Sequence, residues 1–99
     1  MGVSKTMKAL ADPVRREILV LLRQGEKSAG EIAAYFHMTA AAMSYHLARL
    51  RGADLVYEWR VKNFIYYGLN TSVLEEAALW LCQFGAGAAP EREREEAGQ

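Results

Sequence analysis

Chemistry that depends on cysteine, histidine or membrane burial finds little material in this sequence. Cys82 is the single cysteine, which excludes an intrachain disulfide and any cysteine-cluster metal site. His37 and His46 are the only histidines, too few to build a ligand set. No apolar run approaches the roughly 20 residues that a membrane-spanning helix requires, because charged or polar residues interrupt every stretch. The opening Met1-Gly2-Val3-Ser4-Lys5 leads into a helical pattern and lacks the layout of a signal peptide. A reducing cytoplasm is the expected setting. Gly-rich phosphate loops and nucleophile–base pairs are missing as well. Ser44 and His46 come nearest to such a pair, but two steps along a helix turn side chains about 200° apart. No catalysis, no cofactor and no bound metal are expected.

A surplus of either charge is also absent, since twelve Lys/Arg balance twelve Asp/Glu. The distribution is uneven. Residues 1–70 hold ten Lys/Arg against six Asp/Glu, whereas residues 71–99 hold two Arg (Arg92, Arg94) against six Glu. A basic body with an acidic end favours a polyanionic partner on one side. The chain of 99 residues suits one domain. A domain of this size buries only about 60–65% of its unfolded surface, so cover from a second subunit would matter.

What is present is a regular sequence of caps and periods. Residues 4–11 read as a short amphipathic helix with Met7, Leu10 and Ala11 on one side. Asp12-Pro13 supplies an N-cap and a proline at the first helical position. Val14, Ile18, Leu21 and Leu22 follow at helical spacing, and Gly25 closes that helix. Ser28 and Glu31 form a capping box that opens a third helix with Ile32, Ala33 and Phe36 inward. After a break at His37-Met38, Thr39 caps a fourth helix running to about Gly52, with Met43, Leu47 and Leu50 inward. The period then becomes two. Leu55, Tyr57, Trp59 and Val61 share one face, and Glu58, Arg60 and Lys62 the other. Asn63 is placed to turn the chain at positive φ, and Phe64–Leu69 supplies a second strand. Asn70-Thr71-Ser72 starts a last helix, with Ser72 and Glu75 in capping-box register. Its broad apolar stripe is Val73, Ala77, Trp80, Leu81 and Phe84. The domain is read over 1–84, and the Gly/Ala-rich, then Glu/Arg-rich text of 85–99 as a flexible acidic tail.

Four helices, a two-stranded hairpin and a closing helix make a mainly α fold with the layout of a winged helix-turn-helix. In it the third helix braces, the fourth enters the major groove of double-stranded DNA, and the hairpin reaches phosphates or a flanking groove. With Leu47 inward, helical geometry puts Ala41, Ala42, Tyr45, Ala48 and Arg49 on the outer face and Ser44 and His46 on its flanks. Ser, Tyr and His can bond base edges or phosphates, and Arg49 can pair with phosphate. Arg60, Lys62 and Asn63 at the hairpin tip offer further phosphate or minor-groove contacts. His46 is equally suited to plain packing, and Arg15 and Arg16 are undecided between phosphate contact and solvated surface. The Tyr57, Trp59, Tyr66 and Tyr67 cluster is read as wing-to-helix packing rather than a stacking platform.

These residues resemble a known family. Ser44-Tyr-His46-Leu47-Ala-Arg-Leu50-Arg-Gly-Ala-Asp-Leu55-Val56 is similar to the S-x-H-L-x-x-L-x-x-A-x-L-V segment of the ArsR/SmtB repressors. Asp12-Pro13-Val14-Arg15-Arg16-Glu17-Ile18-Leu19 resembles their D-P-x-R-x-x-I-L opening. Ala29–Ala33 and Phe64–Thr71 resemble the SdpR-type autorepressors within the family. The resemblance spans about residues 6–84. It implies a homodimer built on the first and last helices, with Met7 and Leu10 joining Val73, Ala77, Trp80, Leu81 and Phe84 in the interface. It also implies autorepression at a two-fold symmetric operator, and a membrane protein that relieves repression as a further partner. Trp80 and Phe84 independently ask for a second subunit as cover.

Two departures bear on mechanism. Where many members start the recognition helix with Gln, Ser or Pro, this chain has Ala40-Ala41-Ala42. Methyl groups restrict readout there to thymine methyls and DNA shape. Family-type metal sensing is not expected, because residues 28–36 hold no Cys and residues 71–84 no His. Cys82 is expected to be a buried, inert thiol. The alanines and the zero net charge keep open an alternative, a winged-helix protein-interaction module without specific DNA binding.

Overall fold

Side chains of the chain itself set most helix starts. The computed structural model describes residues 2–85. Its elements are α1 (Val3–Leu10), α2 (Pro13–Leu22), β1 (Lys27–Ser28), α3 (Ala29–Phe36), α4 (Ala40–Gly52), β2 (Val56–Val61), β3 (Phe64–Leu69) and α5 (Thr71–Cys82). Asp12 caps α2 by accepting from the backbone N–H of Val14 (2.7 Å) and Arg15 (3.2 Å). The Ser28/Glu31 capping box on α3 is reciprocal, with bonds of 3.2 and 2.8 Å. Thr39 caps α4 through the Ala42 N–H. The last helix differs from expectation. Asn70, not Ser72, is its N-cap, and its Oδ1 accepts from the Ser72 N–H. The same amide donates to the Asp54 carbonyl at 2.8 Å, and its Oδ1 also accepts from the Tyr57 hydroxyl at 3.3 Å. One side chain thus ties the end of α4, the base of the hairpin and the start of α5 together.

Helices α2, α3 and α4 pack against a three-stranded antiparallel sheet of order β1-β3-β2. Hydrophobic alternation did not reveal β1, a strand of two residues that pairs Lys27 with Tyr67 and Ser28 with Tyr66. It anchors the hairpin to the helical body, which a lone two-stranded ribbon needs for stability. The core lies between the helices and one sheet face. Ile18, Leu21 and Leu22 of α2, Ile32 of α3, and Met43, Leu47 and Leu50 of α4 meet Leu55, Val56 and Tyr67 there.

Two faces turn out differently from the sequence reading. In α1, Thr6 and Ala9 are buried, Met7 and Leu10 are half-buried, and Ala11 is exposed. Thr6 can face inward because its hydroxyl donates back to the Gly2 carbonyl. In the hairpin, the inward face is the even set of β2 with the odd set of β3: Val56, Tyr67 and the half-buried Ile65 and Leu69. Tyr57, Trp59 and Val61 do share a face, but it is the outer one, and Leu55, expected with them, precedes β2 and is fully buried in the core. Trp59 stacks on its cross-strand partner Tyr66 with centroids 6.2 Å apart, and the Trp59 ring lies over Gly68, where an added Cβ would meet it at 3.3 Å. Wing-to-helix packing therefore describes Tyr67, while Tyr57, Trp59 and Tyr66 lie on the opposite face. The tail expected over 85–99 lies, beyond residue 85, outside the described residues.

Candidate nucleic-acid interface

α3 and α4 are joined by His37, Met38 and Thr39. His37 closes α3 in the left-handed conformation at φ 56°, its N–H and that of Met38 returning to the last carbonyls of α3. Asn is a commoner choice there, but His also tolerates this region better than branched residues do. Met38 packs on the core, so the turn is held on one side and Thr39 starts α4 on the other.

Burial divides α4 cleanly. Met43, Leu47 and Leu50 are at most 1% exposed, so the helix cannot roll without losing its seat. Ala41, Ser44, Tyr45, Ala48 and Arg49 are exposed and Ala42 is half-buried. The Arg49 guanidinium lies over the Tyr45 ring at 5.8 Å, and Tyr45 meets the His46 ring edge-on at 5.5 Å. Stacking of this kind fixes a long side chain at modest gain, on the order of 0.5–1 kcal/mol at an exposed site. The outer face of α4 is therefore a small polar ledge of Ser44, Tyr45 and Arg49, bordered by methyls at its N-terminal end.

His46 is half-buried behind that ledge and is held from within. Arg15, only 7% exposed, donates from Nε to the Ala9 carbonyl (2.7 Å) and from Nη2 to the Lys8 carbonyl (3.3 Å), and its Nη1 lies 3.3 Å from Nδ1 of His46. Arg16 donates from Nη1 to the Leu10 carbonyl at 2.7 Å. Both arginines thus close the C-terminal end of α1, where cations and donors are favoured. The choice left open for Arg15 resolves as a structural link from α1 to α4, and its partners were illegible because they lie 6 to 31 residues away. Asp12 sits beside this group. Partial desolvation pushes its carboxyl up, but the Arg15 and Val14 N–H bonds and the charges of His46 and Arg15 prevail and hold it below its ordinary 3.8.

The hairpin tip carries Arg60, Lys62 and Asn63, all exposed. Val61 pairs with Phe64, leaving a two-residue turn, and the left-handed residue in it is Lys62 at φ 56° rather than Asn63. A lysine there costs roughly 1–2 kcal/mol of backbone strain, so a charge is kept at the projecting end at the expense of the easier turn residue. At the wing base Arg51 pairs with Glu58 at 2.8 Å, which commits that arginine to holding α4 against β2.

α5 shows the other exposed surface. Val73 and Ala77 turn into their own protomer's interior, whereas Trp80, Leu81 and Phe84 lie outside with Leu79, which is 73% exposed. Trp80 and Phe84 pack edge-to-face at 5.1 Å. Cys82 is exposed on the same last turn, not buried as expected from its type. Among the described residues no group of three or more His, Cys, Asp and Glu comes together as a metal site, and no helix is long and apolar enough to cross a membrane.

Comparison with known proteins agrees with this geometry. Residues 12–58, from the α2 cap to β2, match the family described as "Bacterial regulatory protein, arsR family". The chain is 40% identical over 82 residues to the transcriptional repressor SdpR of Bacillus subtilis, covering 83% of this chain and 91% of that one. It is also 40% identical to the HTH-type transcriptional regulator CmtR of Mycobacterium bovis, over 77% of this chain but only 64% of the relative. Among solved structures, the homodimeric winged helix-turn-helix DNA-binding domain of a possible ArsR-family transcriptional regulator from Mycobacterium bovis superposes with a TM-score of 0.71. It is 33% identical, and the match covers 90% of this chain and 82% of that one.

Proposed function

Because the chain belongs to the arsR family of bacterial regulatory proteins, we propose that it is a DNA-binding transcriptional repressor of the cytoplasm, working as a homodimer and without catalysis. The observation that carries this reading is the split of α4. Its buried side is locked by Met43, Leu47 and Leu50, and its outer side presents Ser44, Tyr45 and Arg49 as a fixed ledge. A helix held this way can lie in a major groove, with Arg49 on a phosphate and Ser44 and Tyr45 on base edges or phosphates. His46 gives the ledge its backing, and Ala41 and Ala42 allow close approach and thymine-methyl contact. Arg60, Lys62 and Asn63 at the wing tip would follow the backbone or enter the flanking minor groove.

Dimerisation through α1 and α5 would cover Met7, Leu10, Trp80, Leu81 and Phe84, with Val73 and Ala77 supporting them from beneath. Two recognition helices would then face half-sites about one helical turn, 34–36 Å, apart on a two-fold symmetric operator. Repression would be steric, by covering a promoter; the chain's own promoter as the target and a membrane protein as the partner that relieves it are what the resemblance of Ala29–Ala33 and Phe64–Thr71 to autorepressors implies. Footprinting on the DNA upstream of its own gene at physiological salt tests the reading. A two-fold symmetric footprint is the expected result. An absence of both footprint and salt-dependent duplex binding would instead leave a protein-interaction module, the alternative that the Ala40–Ala42 stretch and the zero net charge keep open.

A further inference from the structure

α1 and α4 do not close completely on each other. Between them lies a concave space of about 350 Å³ lined by Lys5, Lys8 and Ala9 of α1 and by Ala48, Arg49, Gly52 and Ala53 around the C-terminal half of α4. Its walls are small side chains, and its three charged groups are all cations. Arg51–Glu58 is the only ion pair among the described residues, so none of the three has a carboxylate within salt-bridge distance there. Lys8 and Arg49 each stand in the last turn of a helix, where a cation offsets the carbonyl end. That accounts for one cation per helix. It does not account for Lys5, which stands earlier in α1, or for all three lining one recess. Arg49 is also the residue stacked on Tyr45, so the cavity opens beside the ledge assigned to DNA.

We propose that the space between α1 and α4 is a phosphate-binding pocket in which Lys5, Lys8 and Arg49 hold one phosphate group. Three donors of like charge around a recess with small walls match a compact polyoxyanion, whereas an apolar ligand would leave them desolvated and unpaired. The source of the phosphate rests on the reading of α4 as a DNA-binding helix. A backbone phosphate flanking the major-groove contact fits it, and a free phosphate ester offers the same chemistry. With a DNA phosphate in the pocket, α1 would join the DNA footprint, and the Arg15 link between α1 and α4 would keep the two walls in register.

The test compares the full chain with Lys5→Ala/Lys8→Ala, exposed helical positions where alanine keeps helix propensity, checked by thermal melting. Two readouts are taken: the salt dependence of binding to a non-specific duplex, and backbone amide shifts of residues 48–53 on adding inorganic phosphate at constant ionic strength. Loss of one phosphate contact lowers the salt slope by about 0.9 per protomer. The expected result is that drop in the variant, together with a saturable phosphate shift in the native chain that the variant lacks, and recovery of both in Lys5→Arg/Lys8→Arg. A saturable shift with an unchanged slope supports the pocket and makes a free phosphate ester its ligand. A lower slope without a saturable shift reduces the lysines to diffuse charge and overturns the pocket, as does the absence of both effects. If the native chain binds no duplex at all, the DNA reading fails alone, and the phosphate titration still decides the pocket.

Discussion

α4 and α5 bury the same kind of residue on one side and differ wholly on the other. The inward sides carry Met43, Leu47 and Leu50 in α4 and Val73 and Ala77 in α5. Outward, α4 shows Ser44, Tyr45 and Arg49, while α5 shows Leu79, Trp80, Leu81 and Phe84, with Phe84 70% exposed. Isolated apolar side chains on a surface need no explanation, but Trp80 packs on Phe84, and Leu79 and Leu81 lie exposed beside them at the end of α5. A polar ledge with a held arginine suits a hydrated polyanion. An aromatic patch suits a second protein surface. The difference teaches that one small fold divides its outside between two kinds of partner, and that Arg15, bonded to α1, which packs on α5, and 3.3 Å from His46 of α4, joins those two territories.

The comparison can be broken most forcefully at α5. Trp80→Ala/Phe84→Ala should weaken self-association by about 2 kcal/mol or more per residue if these are interface anchors, roughly a thirtyfold loss each. Sedimentation should then show monomers at concentrations where the native chain is dimeric, with thermal melting of the monomer little changed. Unchanged self-association would remove the α5 side of the contrast. Next in size is Arg15→Met, which keeps length but leaves the buried Ala9 carbonyl without its donor, while the Lys8 carbonyl keeps the Ala11 N–H. An unsatisfied buried group costs about 1–3 kcal/mol, and one kcal/mol shifts the melting temperature of such a domain by roughly 4–8 °C. Cooperative loss of DNA affinity alongside the lower melting point would mark Arg15 as a link between territories. A lower melting point with native DNA affinity would mark it as a helix cap alone.

A smaller effect lies with Asp12. Its carboxyl is held below the ordinary 3.8 in the folded chain, so the native state favours the ionised form. The stability it contributes is complete above pH 3.8 and is lost as pH falls through the lowered folded value. Acid titration of the melting temperature should therefore show a fall below that pH, and Asp12→Asn should be less steep in the same range. An identical acid profile in both proteins would detach Asp12 from α2 capping.

Much of this architecture was legible in the sequence because its signals are local. The Asp12-Pro13 start, the Ser28/Glu31 box and the 43/47/50 row need only near neighbours, and all three stand where the residue types place them. What escaped depends on partners far along the chain. β1 is too short to show a period and exists through its pairing with Tyr66 and Tyr67. Alternation grouped Tyr57, Trp59 and Val61 together but wrongly joined the buried Leu55 to them, and it could not tell which face the helices cover. Both asparagines illustrate the limit of turn chemistry. Asn70 took the cap expected of Ser72, and Lys62 took the positive φ expected of Asn63. For the candidate interface, helical phase gave the outer face of α4 from Leu47 alone. Lys5 and Lys8 went unread, because only the packing of α1 near α4 sets them beside Arg49. A pair of lysines three apart on the first helix was the available signal.

The central claim, that the outer face of α4 meets DNA, is tested most directly by the salt dependence of duplex binding for the native chain and Arg49→Ala. The account predicts weaker binding to every sequence alike and a salt slope lower by about 1 per protomer, with the protein still folded and dimeric. Native affinity and native slope in that variant would contradict it.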